Sequence, residues 1–250
     1  VKLGKRYVVH AAKHGDMNVL IKVVEHLRCH NRWNPERKEE GIFKQLFPVM
    51  KLRYRWFIEC IPPYYAALYT TYCNEKFDMA YYLMKNGVKV EMCMLVGILQ
   101  YGSQQAAFRV IQDLKDTGTW DPCCDDASKA LETALCKQKN DVYALLVQNG
   151  FSLKMKNLPG VIRKAEISLE SAKKAIQYIK DTDNWNPKCD DASEALETAI
   201  CEEKYDVHDL LVQDGVSLKM KNLPGVIRKS EISSEYVKKA IQHLKDTDNW

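Results

Sequence analysis

Side chains able to hold a metal crowd the start of this chain: His10 and His14, one helical turn apart, then His26, Cys29 and His30. Imidazole nitrogen and thiolate are the donors that zinc takes in tetrahedral sites. A second place for chemistry is the vicinal pair Cys123-Cys124, which could cycle between thiols and a disulfide. Both have simpler explanations. His26, Cys29 and His30 fall on a polar helix exit, and only Cys124 of the vicinal pair recurs, as Cys189. No cysteine pairs stand at zinc-finger spacing. No Walker loop, Rossmann glycine fingerprint, His-Glu-x-x-His or Gly-x-Ser-x-Gly is present. The sequence therefore reads as having no catalytic residues, no metal and no cofactor, and as a protein that is not an enzyme.

The elements that carry these residues follow from composition and pattern. The chain has 250 residues, 46% apolar and 28% charged, which suits a folded protein rather than a disordered one. A formal net charge of +4 from nearly balanced totals gives no global pull toward nucleic acid. No apolar run approaches the roughly 18 residues that cross a bilayer, so no membrane span is expected. The nine cysteines are scattered through helix-like stretches such as Ala134-Leu135-Cys136, where a thiol acts as a small apolar group. That usage points to a reducing, intracellular setting, expected to be cytoplasmic.

The main fact is an internal repeat. Trp120, Trp185 and Trp250 are 65 residues apart, and the two intervening stretches align without a gap at roughly three quarters identity, as a recent duplication would leave them. Leu153 to Lys164 returns unchanged as Leu218 to Lys229. Each unit splits into two halves of about 33 residues, each reading as short helix, tight turn, second helix and polar exit. Gly150 and Gly215 stand where a helix end wants a left-handed residue, and Asp141 and Asp206 stand where a carboxylate suits a helix start. Asp125-Asp126 and Asp190-Asp191 precede helices in the same way. Asn86-Gly87 and Trp33-Asn34-Pro35 carry the plan toward the N-terminus, giving about seven half-units.

The pattern resembles the ankyrin-repeat family. His10-Ala11-Ala12-Lys13-His14-Gly15-Asp16-Met17-Asn18-Val19-Leu20 looks like that family's inner helix, glycine turn and outer helix, and Phe77 to Gly87 and Asp141 to Gly150 look like its outer helices. The Thr-Pro-Leu-His tetrapeptide that opens the family's inner helix is nowhere intact. Only His10, Pro63 and Pro159 echo it. The resemblance implies an all-α fold, an α-solenoid of stacked helix-turn-helix repeats, with His10 in a structural position. The expected organisation is a first repeat at 1–35, a basic aromatic insertion at 36–60, and a repeat array at 61–250 that holds the double repeat at 121–185 and 186–250.

Such an array is expected to be a protein-protein interaction scaffold, part of a larger intracellular protein. The partner is another protein, with no nucleic acid expected. Its contact points would lie on the fingers, at Lys154, Lys156, Lys219 and Lys221, and on the loop tryptophans Trp120, Trp185 and Trp250. Each tryptophan is either an interface anchor or a spacer packed on the next finger, and recurrence at a fixed register favours packing. The insertion is individual in being basic and aromatic together, from Phe43 to Phe57. Trp56 is its most prominent residue, counted with the partner contacts, although packing of the insertion's aromatics on the stack is the favoured reading. The alternative is an RNA-binding array of pentatricopeptide type, whose pairs would span about 70 residues rather than 65. The final half-unit, Gly225 to Trp250, keeps the apolar character of an internal repeat. Further repeats are therefore expected after Trp250, with self-association through the uncapped end.

Overall fold

The computed structural model describes residues 6–35, 63–164 and 169–228, with a few positions between 238 and 245. The insertion at 36–60 with Trp56, and Trp250 at the other end, lie outside the described residues. The described chain is all-α, thirteen helices with no strand among them. None is long and apolar enough to cross a membrane.

Two compact units divide between Asp121 and Pro122. The first holds α1 (Arg6–His14), α2 (Met17–Cys29), α3 (Pro63–Cys73), α4 (Phe77–Lys85), α5 (Met92–Tyr101) and α6 (Gln104–Asp116). The second holds α7 (Asp125–Cys136), α8 (Asn140–Gln148), α9 (Leu158–Arg163), α10 (Leu169–Asp181), α11 (Asp190–Cys201), α12 (Tyr205–Gln213) and α13 (Leu223–Arg228). Odd-numbered helices are inner members of pairs, and even-numbered ones fold back on them. From α5 onward the inner helices begin at 92, 125, 158, 190 and 223.

Within the first unit α1 packs on α3 and α3 on α5. Within the second, α7 packs on α9, α9 on α11 and α11 on α13. This succession explains the burial patterns. Inner helices are covered from several directions, so α3 buries Tyr64 and every residue from Ala66 to Tyr72. Outer helices bury one stripe: Ala172, Ala175, Ile176 and Ile179 in α10 stand at the spacing of a single helical face.

Local chemistry sets the boundaries. Asp16 Oδ1 accepts from the Val19 N–H at 3.0 Å, and Ser103 Oγ from the Ala106 N–H at 3.0 Å, each capping an outer helix. Asp125, Asp126, Asp190 and Asp191 fall in the first turns of α7 and α11, at the positive end of the helix dipole. Pro63 opens α3, and Pro159 sits in the first turn of α9, where its missing N–H costs nothing. Gly150 and Gly215 take φ of 83° and 82° after α8 and α12, the left-handed ending their sequence positions predict.

The links from inner to outer helix end differently. Glu75, Gln138 and Glu203 occupy the left-handed region at φ 53–55° with ordinary side chains. The next residue is a lysine each time, and its N–H closes the turn onto the inner helix: Lys76 to Thr71, Lys139 to Ala134 and Lys204 to Ala199.

Candidate functional site

Three of the four finger lysines, Lys156, Lys219 and Lys221, are engaged within the chain, and Lys154 is half-exposed beside them. In the second unit the residues after Gly150 run extended into a short 3-10 turn at Met155–Asn157, and the same form returns at Met220–Asn222. Lys156 Nζ lies 2.6 Å from Asp125 Oδ1. In the next copy Lys219 Nζ and Lys221 Nζ lie 2.6 and 2.5 Å from the two oxygens of Asp190. The finger therefore leans its cations onto the acidic first turn of the preceding inner helix, leaving a surface of alternating sign. Arg163 and Glu194, 3.7 Å apart, extend it. Exposed pairs of this kind add little to stability, so their value is in fixing where charge is displayed.

The pairing has an electrostatic signature. Lys156 draws the Asp125 carboxyl below its ordinary value. Lys219 and Lys221 together hold Asp190 down at about 2. A carboxylate with a depressed folded value contributes fully above its unfolded pKa, near 4, and loses that contribution as pH falls through about 2. An NMR titration at low salt is expected to give Asp190 a midpoint near 2. In the double variant Lys219→Gln, Lys221→Gln it should return to the ordinary range. An unchanged midpoint would mean the lysines do not set it.

Beneath the fingers runs a buried polar network. Asn222 Nδ2 donates to Glu197 Oε2 at 2.6 Å, and Ser193 Oγ donates to Asn222 Oδ1 at 2.8 Å. Ser193 Oγ also accepts from the Lys219 N–H at 2.8 Å. One copy earlier Asn157 Nδ2 donates to Glu132 Oε2 at 3.2 Å and its Oδ1 accepts from the Lys154 N–H at 3.1 Å. The glutamates reach the first turns of α9 and α13, where Gly160 and Gly225 leave room for the carboxylates as they are placed. A Cβ on Gly160 would lie 2.6 Å from Glu132 Oε1, and one on Gly225 1.8 Å from Glu197 Oε1. This gives the asparagine and glycine of each Asn-Leu-Pro-Gly a packing role.

A second device couples successive pairs. Lys204 Nζ, at the link before α12, donates to the carbonyls of Ile162 and Lys164, both at 2.7 Å, where α9 ends. Lys76 Nζ does the same at the end of α1, to Lys13 and Gly15 at 3.1 and 2.9 Å. Lys139 occupies the equivalent link.

The described tryptophans are half-buried. Trp120 and Trp185 each sit under a lysine from the preceding outer helix, Lys115 and Lys180, at 5.2 Å from nitrogen to ring centre. Lys180 also bonds Asp214 at the end of α12. Trp33 makes the register plain. Its Nε1 donates to the Asn86 carbonyl at 2.8 Å, and its ring meets Tyr64 edge-on at 4.5 Å. Arg28 Nη1, in the position of Lys115 and Lys180, donates to Asn86 Oδ1 at 2.9 Å. Trp33 is thereby held against the pair that follows it.

The histidines stay apart as two couples. The rings of His10 and His14 are 5.0 Å apart on α1, and those of His26 and His30 are 4.2 Å apart at the end of α2. His10 is exposed, whereas the resemblance implied a structural position. The helix turns its small residues Ala11 and Ala12 inward and leaves the imidazole in solvent. Among the described residues no three His, Cys, Asp or Glu side chains gather into a metal-binding group. Cys136 is buried in α7, and burial pushes its thiol up to about 11, so it acts as an apolar filler.

Sequence reading missed the Ser–Asn–Glu network and the lysine link. Each had a signal: Asn157 and Asn222 recur before Leu-Pro-Gly, and Lys76, Lys139 and Lys204 recur before outer helices. Compared with known proteins, the chain matches no protein-family model and no curated protein.

Proposed function

We propose that this chain is a non-catalytic protein-binding scaffold, a solenoid of divergent ankyrin-like repeats forming the interaction region of a larger intracellular, cytoplasmic protein. The observation that carries the reading is that, within each unit, successive inner helices pack on one another and start at a nearly constant chain interval, with a finger ahead of α9 and of α13. A pair of short helices cannot bury its apolar faces alone, whereas stacked pairs share a core and display a long surface. The finger surface has alternating charge, from Lys154, Lys156, Lys219 and Lys221 against Asp125 and Asp190. It suits a protein partner with both signs of charge better than a polyanion, because the cations are already neutralised in part. The RNA-binding alternative has less support for that reason.

A fourfold charge reversal, Lys154, Lys156, Lys219 and Lys221 each to Glu, tests the reading. It is expected to leave the helical circular dichroism spectrum unchanged and to lower the melting temperature only slightly, since these positions are exposed or half-exposed and surface ion pairs add little to stability. Recovery of the cross-linked partner from cells should fall roughly ten-fold or more. Unchanged recovery would remove the fingers from the interface. Salt-sensitive retention of RNA by the natural chain, lost in the variant, would replace the proposal with the nucleic-acid reading.

A further inference from the structure

Two outer helices of the second unit, α10 and α12, pack side by side. A groove of about 400 Å³ opens between them, within the size range of small-molecule sites. Buried Ile176 and half-buried Leu210 give it an apolar part, Lys173, Lys174 and Lys180 line it from α10, and Asp214 lines it from the end of α12. Several of these groups lack partners within the protein. Lys173 and Lys174 are exposed, and among the described residues neither makes an ion pair. Asp214 gives one oxygen to Lys180. Its Oδ2 is buried with no hydrogen-bond partner, the one such side-chain atom among the described residues. A buried acceptor left in that state is costly, and native structures keep few of them.

The same position elsewhere in the chain is closed. Asn86 and Asn149 also end outer helices before a glycine, and their amides donate to the carbonyls of Tyr82 and Leu145 at 2.8 and 2.7 Å. An aspartate has no such donor. In the α2–α4 pair Arg28 bonds Asn86 as Lys180 bonds Asp214. There, however, Ile21 stands where α10 has Lys173, and Tyr82 where α12 has Leu210. The α10–α12 pair therefore has a lysine for an apolar residue, a smaller leucine for a tyrosine and a carboxylate for an amide.

We propose that the α10–α12 groove binds a small phosphate monoester that carries an N–H or O–H donor at its far end. Two uncompensated ammonium groups match the charge of a phosphate monoester, about −1.5 to −2 at neutral pH. About 10 Å of helix axis separates Lys173 and Lys174 from Lys180. A flat or apolar body over Ile176 and Leu210 spans that distance and brings the donor to Asp214 Oδ2. Glu170 lines the groove beyond the two lysines and repels the anion from that end. The site is built from outer helices rather than fingers, so it stands independently of the partner-binding reading.

The test uses the whole natural chain at low salt, with 4-aminophenyl phosphate, phenyl phosphate and inorganic phosphate as probes, followed by NMR at Leu210, Asp214 and Gly215. 4-Aminophenyl phosphate is expected to give saturable shifts and to bind roughly ten-fold more tightly than phenyl phosphate, which lacks the donor. The double variant Lys173→Gln, Lys174→Gln should weaken both esters roughly ten-fold. Asp214→Asn should abolish the preference for the amine, and Leu210→Tyr should block both esters. These last two substitutions install residues that the chain already carries at the matching place, Asn149 and Tyr82. An unchanged circular dichroism spectrum checks that each variant folds. Inorganic phosphate that competes as well as the esters would reduce the groove to a patch of surface charge and overturn the proposal. A preference for the amine that survives Asp214→Asn, or ester shifts that survive Leu210→Tyr, would overturn it equally.

Discussion

Phe151→Ala is expected to destabilise the second unit by about 3–5 kcal/mol, the range for truncating a fully buried aromatic side chain. Phe151 is 1% exposed and follows the left-handed Gly150 directly. Its N–H closes the turn onto the Leu146 carbonyl at 3.1 Å, and its own carbonyl accepts from the Tyr178 hydroxyl at 2.6 Å. The side chain is thus held where one hairpin hands over to the next finger. Truncation leaves a cavity with fixed walls, since the turn and the tyrosine pin the backbone on both sides. Val216 occupies the same position one copy later and is equally buried, so Phe151→Val should cost less than Phe151→Ala. Urea denaturation followed by circular dichroism and tryptophan fluorescence checks this, and agreement of the two probes licenses a single free energy. A loss under about 1 kcal/mol for the alanine variant would contradict the cavity argument.

Lys204→Met is the second large effect expected, a loss of about 1.5–3 kcal/mol, because a charged donor is withdrawn from two carbonyls. Burial lowers the pKa of this ammonium from its ordinary value, and the two carbonyls at 2.7 Å compensate it. Methionine keeps most of the aliphatic stem, so the change isolates the donor. The damage should be local and directional. Amides of α9 should exchange faster while those of α7 hold, because the link ties the α11–α12 pair to the end of α9. Equal loss across the unit would point to general weakening of the core instead.

The parts legible in sequence are those set by near neighbours along the chain. The helix pairs, the left-handed Gly150 and Gly215 and the aspartates in first turns all follow from spacing and residue type, and the structure has each of them. The all-α class followed from the same signals. What stayed hidden depends on partners far apart in the chain. Asn157 and Glu132 are 25 residues apart, and Lys204 and Ile162 are 42. Periodicity says which side of a helix is covered, but not which polar group waits there. Lys156, Lys219 and Lys221 were visible as charges, yet their aspartate partners were not, because the fold alone returns the finger to the preceding helix. His10 shows the same limit from the other side: a family position carried over by resemblance fixed its register in α1 but not its exposure.

The identity of residues 153–164 and 218–229 has a consequence for inheritance. An interface normally constrains two surfaces to change together, and a chain that gains or loses a segment breaks that agreement. Here the short inner helix and the turn before it are the same in both 65-residue stretches. Unequal exchange between copies of the gene would lengthen or shorten the protein by a whole stretch without creating a mismatched seam. The second stretch is thus a segment that can be gained or lost with its seam kept.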